Sequence, residues 1–172
     1  MSRANRTRRR GSDTLAIVLV VLLCIAFIVW GAGQGGKMLF PQKYTELIEF
    51  YAEENDLPPE LVYAVVYCES EFDPNAVSSV GACGLMQLME PTFDWVKDRL
   101  EGEEDTQYED LFDPETNLKY GCRLLGLLVQ EYKTVPNALC AYHAGWGKAK
   151  EWLEDPQCTP DGKNIENIPY VD

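Results

Sequence analysis

The sequence predicts an all-α domain preceded by a single membrane-crossing helix, and three observations carry that expectation. Apolar residues recur at helical spacing from Pro41 onward, no stretch alternates long enough to make a strand, and one uninterrupted apolar run stands near the N-terminus. With 172 residues, 46% of them hydrophobic, the chain has room for one globular unit and an appendage. A multidomain enzyme, a large α/β barrel and a collagen-like or low-complexity chain are excluded.

The appendage comes first. Residues 1–13 carry Arg3, Arg6, Arg8, Arg9 and Arg10, and after Asp13 no charged residue occurs until Lys37. Leu15 to Trp30 is unbroken apolar sequence, followed by Gly31-Ala32-Gly33. From Leu15 to Gly33 a helix reaches about 28 Å, close to the thickness of a hydrocarbon core. A transmembrane helix is therefore expected over 14–33, with the arginines holding residues 1–13 in the cytoplasm. A cleaved signal peptide is the alternative, with Gly-Ala-Gly as the cut site. The run is slightly long for that, and Trp30 suits an interfacial anchor. Cys24 follows Leu22-Leu23 rather than small residues, so it reads as a membrane-helix residue and not a lipidation site. Residues 34–40 form a Gly-rich linker, and the main domain spans 41–172.

Within that domain each helix has its own signal. Tyr44, Leu47, Ile48 and Tyr51 make one stripe at i, i+3, i+4, i+7. After Pro58-Pro59, the residues Leu61, Val62, Ala64, Val65, Val66 and Cys68 form a nearly all-apolar segment, expected to be a central helix. Pro91 can open a third helix, with Phe93, Val96 and Leu100 on one side. Asp113-Pro114-Glu115 supplies a cap, a first-turn proline and an early acid, and the helix continues through Leu118, Cys122, Leu125, Val129 and Tyr132. Pro136 opens a fifth helix through Ala144, and Trp146 to Leu153 makes a sixth. Glu101 to Asp110, with six acids in ten positions, reads as a solvated loop.

Charge excludes one class of partner. The first 14 residues sum to +4, five arginines against one aspartate, and the remainder to −17, ten basic residues against 27 acidic. A domain that acidic is repelled by phosphates, so no nucleic acid partner is expected.

Glu69 stands out chemically. Val62, Val65 and Val66 precede it by seven, four and three residues, which puts it on the buried stripe. A carboxyl there is desolvated and sits at the negative end of the helix dipole, and both effects favour the protonated form. A carboxylic acid kept neutral near physiological pH is what general-acid cleavage of a glycosidic bond requires. Alone, such a glutamate could equally be a partly exposed helix terminus.

The surrounding residues add to this. Glu69-Ser70-Glu71-Phe72-Asp73-Pro74-Asn75-Ala76 leads to Ser78 and then to Gly81-Ala82-Cys83-Gly84-Leu85-Met86-Gln87. Further on come Asp113-Pro114-Glu115-Thr116-Asn117, Ala141-Tyr142-His143-Ala144-Gly145 and Ile168-Pro169-Tyr170. In order and spacing these segments resemble the soluble lytic transglycosylase (SLT) family, over roughly Pro41 to Asp172. The resemblance implies a lysozyme-like helical domain that cleaves the glycan strands of bacterial peptidoglycan. It makes Glu69 the single catalytic acid/base. It places Ser78 near the catalytic carboxyl or the substrate N-acetyl group, Gln87 and Met89 beside the cleavage point, and Tyr142 against the carboxyl. Their plainer readings are a turn serine, a surface amide, a core methionine and a core aromatic. Gly81 and Gly84 are expected to permit a tight turn and close ligand approach.

Glycosidases generally use a second carboxylate. Here Glu71 would face away from Glu69 on a helix, and Asp73 and Glu90 read as loop and surface acids. The family mechanism needs one carboxyl. It protonates the glycosidic oxygen, the muramic N-acetyl group assists at C1, and the glutamate then takes the proton of the sugar 6-hydroxyl. The product is a 1,6-anhydro sugar. No cofactor is implied, and the one histidine cannot make a metal site.

Three departures are visible. His143 stands where the family usually has asparagine, and it reads as a neutral amide substitute within the substrate site. The family continues with another helix after the Ile-Pro-Tyr segment, whereas this sequence stops at Asp172, implying a truncated chain or a missing groove wall. Cys68, Cys83, Cys122, Cys140 and Cys158 are an odd number, so at least one is unpaired, and Cys68 and Cys140 are expected as buried thiols. The expected function is a membrane-anchored lytic transglycosylase acting on peptidoglycan outside the cytoplasmic membrane. The alternatives are a hydrolytic muramidase and a weakly active glycan-binding scaffold module.

Overall fold

A computed structural model describes residues 43–169. The basic segment 1–13, the expected transmembrane helix 14–33, the linker 34–40 and Tyr170 lie outside the described residues. Among the described residues no helix is long and apolar enough to cross a membrane.

The described chain is helical: α1 (Thr45–Glu54), α2 (Pro59–Ser70), α3 (Glu90–Lys97), a 3-10 turn (Tyr108–Phe112), α4 (Pro114–Tyr132), α5 (Val135–Ala144) and α6 (Trp146–Glu154). Proline opens α2 and α4, where its missing N–H costs nothing. The Asp113 carboxylate accepts the Thr116 N–H and caps α4 as its sequence implied. Helix α3 ends at Lys97, so Leu100 reaches the core from a turn rather than from the helix. The 3-10 turn has no hydrophobic period, and Gln107 and Asp110 hold it by reciprocal capping.

The central helix is α4, not the segment after Pro58-Pro59. Its Leu118, Cys122 and Leu125 pack into one apolar cluster with α1 and α2, while Tyr120, Leu124 and Leu128 pack into a second with α3, α5 and α6. Both faces are buried, as its length of 19 residues allows. Helix α2 buries only Val62, Val65 and Val66. Ala64 and Cys68 are exposed, so the expected burial of the Cys68 thiol does not hold. No disulfide joins the five described cysteines, and Cys83, Cys122 and Cys158 are buried free thiols.

A sharp corner ends α2. Glu71 and Phe72 both adopt left-handed backbone, with φ 51° and 64°. A residue with a Cβ is strained there. Burial of the Phe72 side chain against Tyr63 and Tyr67 offsets that strain by about 2–3 kcal/mol. The chain then makes a tight loop, where Cys83 bridges Val77 on one side and Leu88 on the other.

The acidic stretch 101–110 is not wholly solvated. Glu103 accepts hydrogen bonds from Lys119, Thr106 and Tyr120. Burial opposes its ionisation, but these donors outweigh it and hold the carboxyl below the usual range. At the other end, the buried Asn137 side chain donates to the Lys163 carbonyl at 2.9 Å and accepts the Ile165 N–H at 3.0 Å, fastening the C-terminal segment to α5.

Candidate active site

The site forms where the last turns of α2 and α5 meet the 83–88 loop. Glu69 is the penultimate residue of α2 and is half-buried. Burial raises its pKa above the ordinary carboxylate range, and the His143 charge opposes the shift. That charge, rather than another carboxylate's, is the one that bears on Glu69. Glu71 is exposed on the left-handed corner, Asp73 accepts the Asn75 N–H, and Glu90 is exposed in the first turn of α3.

Tyr142 and His143 occupy the last turn of α5. The Tyr142 hydroxyl donates to the Met86 carbonyl at 2.7 Å. Burial first, then the Glu69 charge and Cys122, push that phenol well above its ordinary pKa. The phenol therefore stays protonated, and with its one hydrogen given to Met86 only its oxygen lone pairs remain to accept a hydrogen bond. His143 is exposed beside it.

Three hydrogen bonds fix the loop backbone at two consecutive residues. Met86 also gives its N–H to Asn117 Oδ1 at 2.8 Å, and the Ser70 hydroxyl donates to the Leu85 carbonyl at 2.8 Å. Ser70 follows Glu69 directly, so that bond ties the catalytic candidate to the loop. Asn117 is fully buried, and its Nδ2 donates to Leu111 O at 2.8 Å and Cys83 O at 3.2 Å. A Cβ at Gly84 would collide with this amide and with the Leu111 carbonyl, so what approaches Gly84 is Asn117 rather than a ligand. Neither Asn117 nor Ser70 stood among the residues expected at the site. The signal was present: Asn117 lies on the same stripe of α4 as Tyr120, Leu124 and Leu128, a polar residue at apolar spacing.

The remaining expected residues take distinct positions. The Ser78 hydroxyl accepts the Ala82 N–H at 3.0 Å, the turn role among its two readings, and its own hydrogen remains available. Gln87 sits half-buried at φ 49° and donates both amide hydrogens to backbone, to Ala76 O and Gly84 O. Met89 is exposed at the N-cap of α3, which removes its core reading. Among the described residues no group of three His, Cys, Asp or Glu side chains is gathered to hold a metal.

The sequence pattern of the family described as Transglycosylase SLT domain matches residues 46–165. The soluble lytic murein transglycosylase of Escherichia coli K12 is 30% identical over 135 residues, covering 76% of this chain and 21% of that protein. The chain thus spans about one fifth of that relative's length. The crystal structure of the 70 kDa soluble lytic transglycosylase of Escherichia coli superposes with a TM-score of 0.64 at 28% identity, over 87% of this chain and 24% of that one. An inactive Glu-to-Gln mutant of the lytic transglycosylase Slt of Pseudomonas aeruginosa superposes at 0.62 and 29% identity, over 67% of this chain and 19% of that one.

Proposed function

The chain belongs to the transglycosylase SLT domain family, and on that premise we propose that it is a lytic transglycosylase of peptidoglycan with Glu69 as its one acid/base. The observation that carries the reading is a half-buried carboxyl at the end of α2, next to the loop that Ser70 and Tyr142 hold, while among the described residues its neighbouring acids Glu71, Asp73 and Glu90 are exposed. Protonated Glu69 delivers its proton to the oxygen between N-acetylmuramic acid and N-acetylglucosamine. The substrate N-acetyl group stabilises C1, and the glutamate then removes the proton of the 6-hydroxyl, closing a 1,6-anhydro ring. Tyr142 does not compete for that proton, because burial and the Glu69 charge keep it a neutral phenol rather than a basic phenolate. The relative whose inactive form carries a Glu-to-Gln exchange supports a glutamate as an essential group. Ser78, Gln87, Met89 and His143 line the glycan path, and no cofactor enters.

The apolar run over 14–33 anchors the domain to the cytoplasmic membrane, with residues 41–172 on the outer side. Washed membranes should retain the full-length chain with an N-terminal tag intact, whereas a soluble form starting near Gln34 would identify a cleaved signal instead. Mass spectrometry of digested sacculi tests the chemistry. Anhydro products, one water lighter than reducing ends, are expected; reducing ends alone would identify a muramidase.

A further inference from the structure

Away from Glu69, α3 and α6 meet through two tryptophans. The rings of Trp95 and Trp146 stand 5.0 Å apart at 35°. The Arg99 guanidinium lies 3.7 Å from the Trp95 ring centre and donates to the Trp95 carbonyl, so it covers one indole face. Trp146 remains 43% exposed, a large apolar ring facing solvent. Its backbone is fixed, because Tyr132 donates to its carbonyl at 2.8 Å and Gly145, at φ 84°, sets the break between α5 and α6. Arg99 makes no ion pair among the described residues, in a domain with 27 acids. An ordered, exposed indole beside an unpaired cation is an arrangement that core packing does not require.

Its position relates it to the candidate site. Trp95 lies six residues along α3 from Met89, about 9 Å of helix rise. Trp146 lies three residues after His143, whose charge bears on Glu69. Both elements that lead away from the cleavage point therefore arrive at the same aromatic pair.

We propose that Trp95, Trp146 and Arg99 form a distal subsite for the glycan strand, in which a sugar ring stacks on Trp146 and a stem-peptide carboxylate pairs with Arg99. The inference deepens the glycan-cleaving reading and rests on it. Stacking of an apolar sugar face on indole suits Trp146, and the carboxylates of stem peptides are the charges that Arg99 complements. Such a subsite favours long, peptide-bearing strands over short fragments.

The test uses the full-length chain with Glu69→Gln, so that strands are bound but not cut. Adding Trp146→Ala should weaken binding of long peptide-free glycan strands by about tenfold. Binding of a single disaccharide unit should change much less, and Trp146→Phe, which keeps a stacking ring, should retain most of the affinity. Arg99→Ala should weaken peptide-bearing strands more than peptide-free ones. Unchanged affinity for long strands in Trp146→Ala, or equal losses for long strands and the disaccharide, overturns the subsite while leaving glycan cleavage in place. A parent chain that neither cuts sacculi with Glu69 intact nor binds strands without it overturns both readings.

Discussion

Tyr142 and Met86 lie 56 residues apart in sequence, and the hydroxyl of the first donates to the carbonyl of the second at 2.7 Å. Asn117 receives the N–H of the same Met86, so both polar atoms of one peptide residue are held by side chains from two different helices. The loop carrying Gln87 is thus fixed to α4 and α5 at once, and Ser70 adds α2 through the adjacent Leu85. The site's geometry is set by side chains that bind backbone, not substrate.

Glu69→Gln keeps the shape and a hydrogen-bonding amide but removes the transferable proton. Peptidoglycan cleavage should fall at least ~10²–10⁴-fold, while at acidic pH, where Glu69 is neutral, the Tm stays near that of the parent. Glu71→Gln, on an exposed corner, should lose little. Comparable losses in the two variants would demand a two-carboxylate mechanism.

The pH behaviour follows from the direction of the Glu69 shift. Burial raises its pKa, so the folded chain holds that proton more tightly than the unfolded chain does. Ionising it costs stability as pH rises from the ordinary carboxylate range through the raised value. Glu69→Gln escapes that cost, so its stability relative to the parent should increase across the same window, which thermal unfolding at several pH values would reveal. Activity of the parent should decline on that limb. His143→Asn removes a positive charge that opposes the shift, so the limb should move to higher pH. A limb that moved lower would refute the His143–Glu69 coupling.

Asn117→Ala should destabilise the fold more than Glu69→Gln or Tyr142→Phe. It leaves the Met86 N–H, Cys83 O and Leu111 O without this partner. At 1–3 kcal/mol for each buried group left unpaired, a loss of about 3 kcal/mol or more in urea unfolding is expected. A loss below about 1 kcal/mol would mean the loop is held by other contacts.

Tyr142→Phe separates positioning from packing. The ring stays, the Met86 carbonyl loses its donor, and stability should fall by only about 1 kcal/mol. Cleavage should fall about tenfold or more, through kcat rather than KM, because the loop bounding Glu69 loosens. An effect on KM alone would assign Tyr142 to substrate binding.

Much of this was legible in the sequence, for local reasons. The Asp113 cap, the Pro114 start and the Ile48–Tyr51 stripe are signals read within one turn of helix, and each appears where expected. The partial burial of Glu69 follows from its spacing from three buried valines. What was not legible depends on distant partners. The exposure of Cys68 and the centrality of α4 depend on which helices pack on which faces, and composition made α2 look more buried than it is. Glu103 reads as one acid among six until Lys119, Thr106 and Tyr120 surround it. Asn117 needed the folded loop to explain it, because its three partners come from Met86, Cys83 and Leu111.

The corner at Glu71 and Phe72 has a thermal consequence. What holds that strained turn is chiefly the burial of one phenyl ring, and hydrophobic burial weakens on cooling. The 83–88 loop is held instead by hydrogen bonds from Asn117, Tyr142 and Ser70. On chilling, amide hydrogen exchange at Glu71 and Asp73 should lose protection before exchange at Cys83 and Met86. The chain segment that aims Glu69 would then be cold-labile while the surface opposite it stays rigid, so turnover in the cold would be limited by orientation of the acid rather than by its strength.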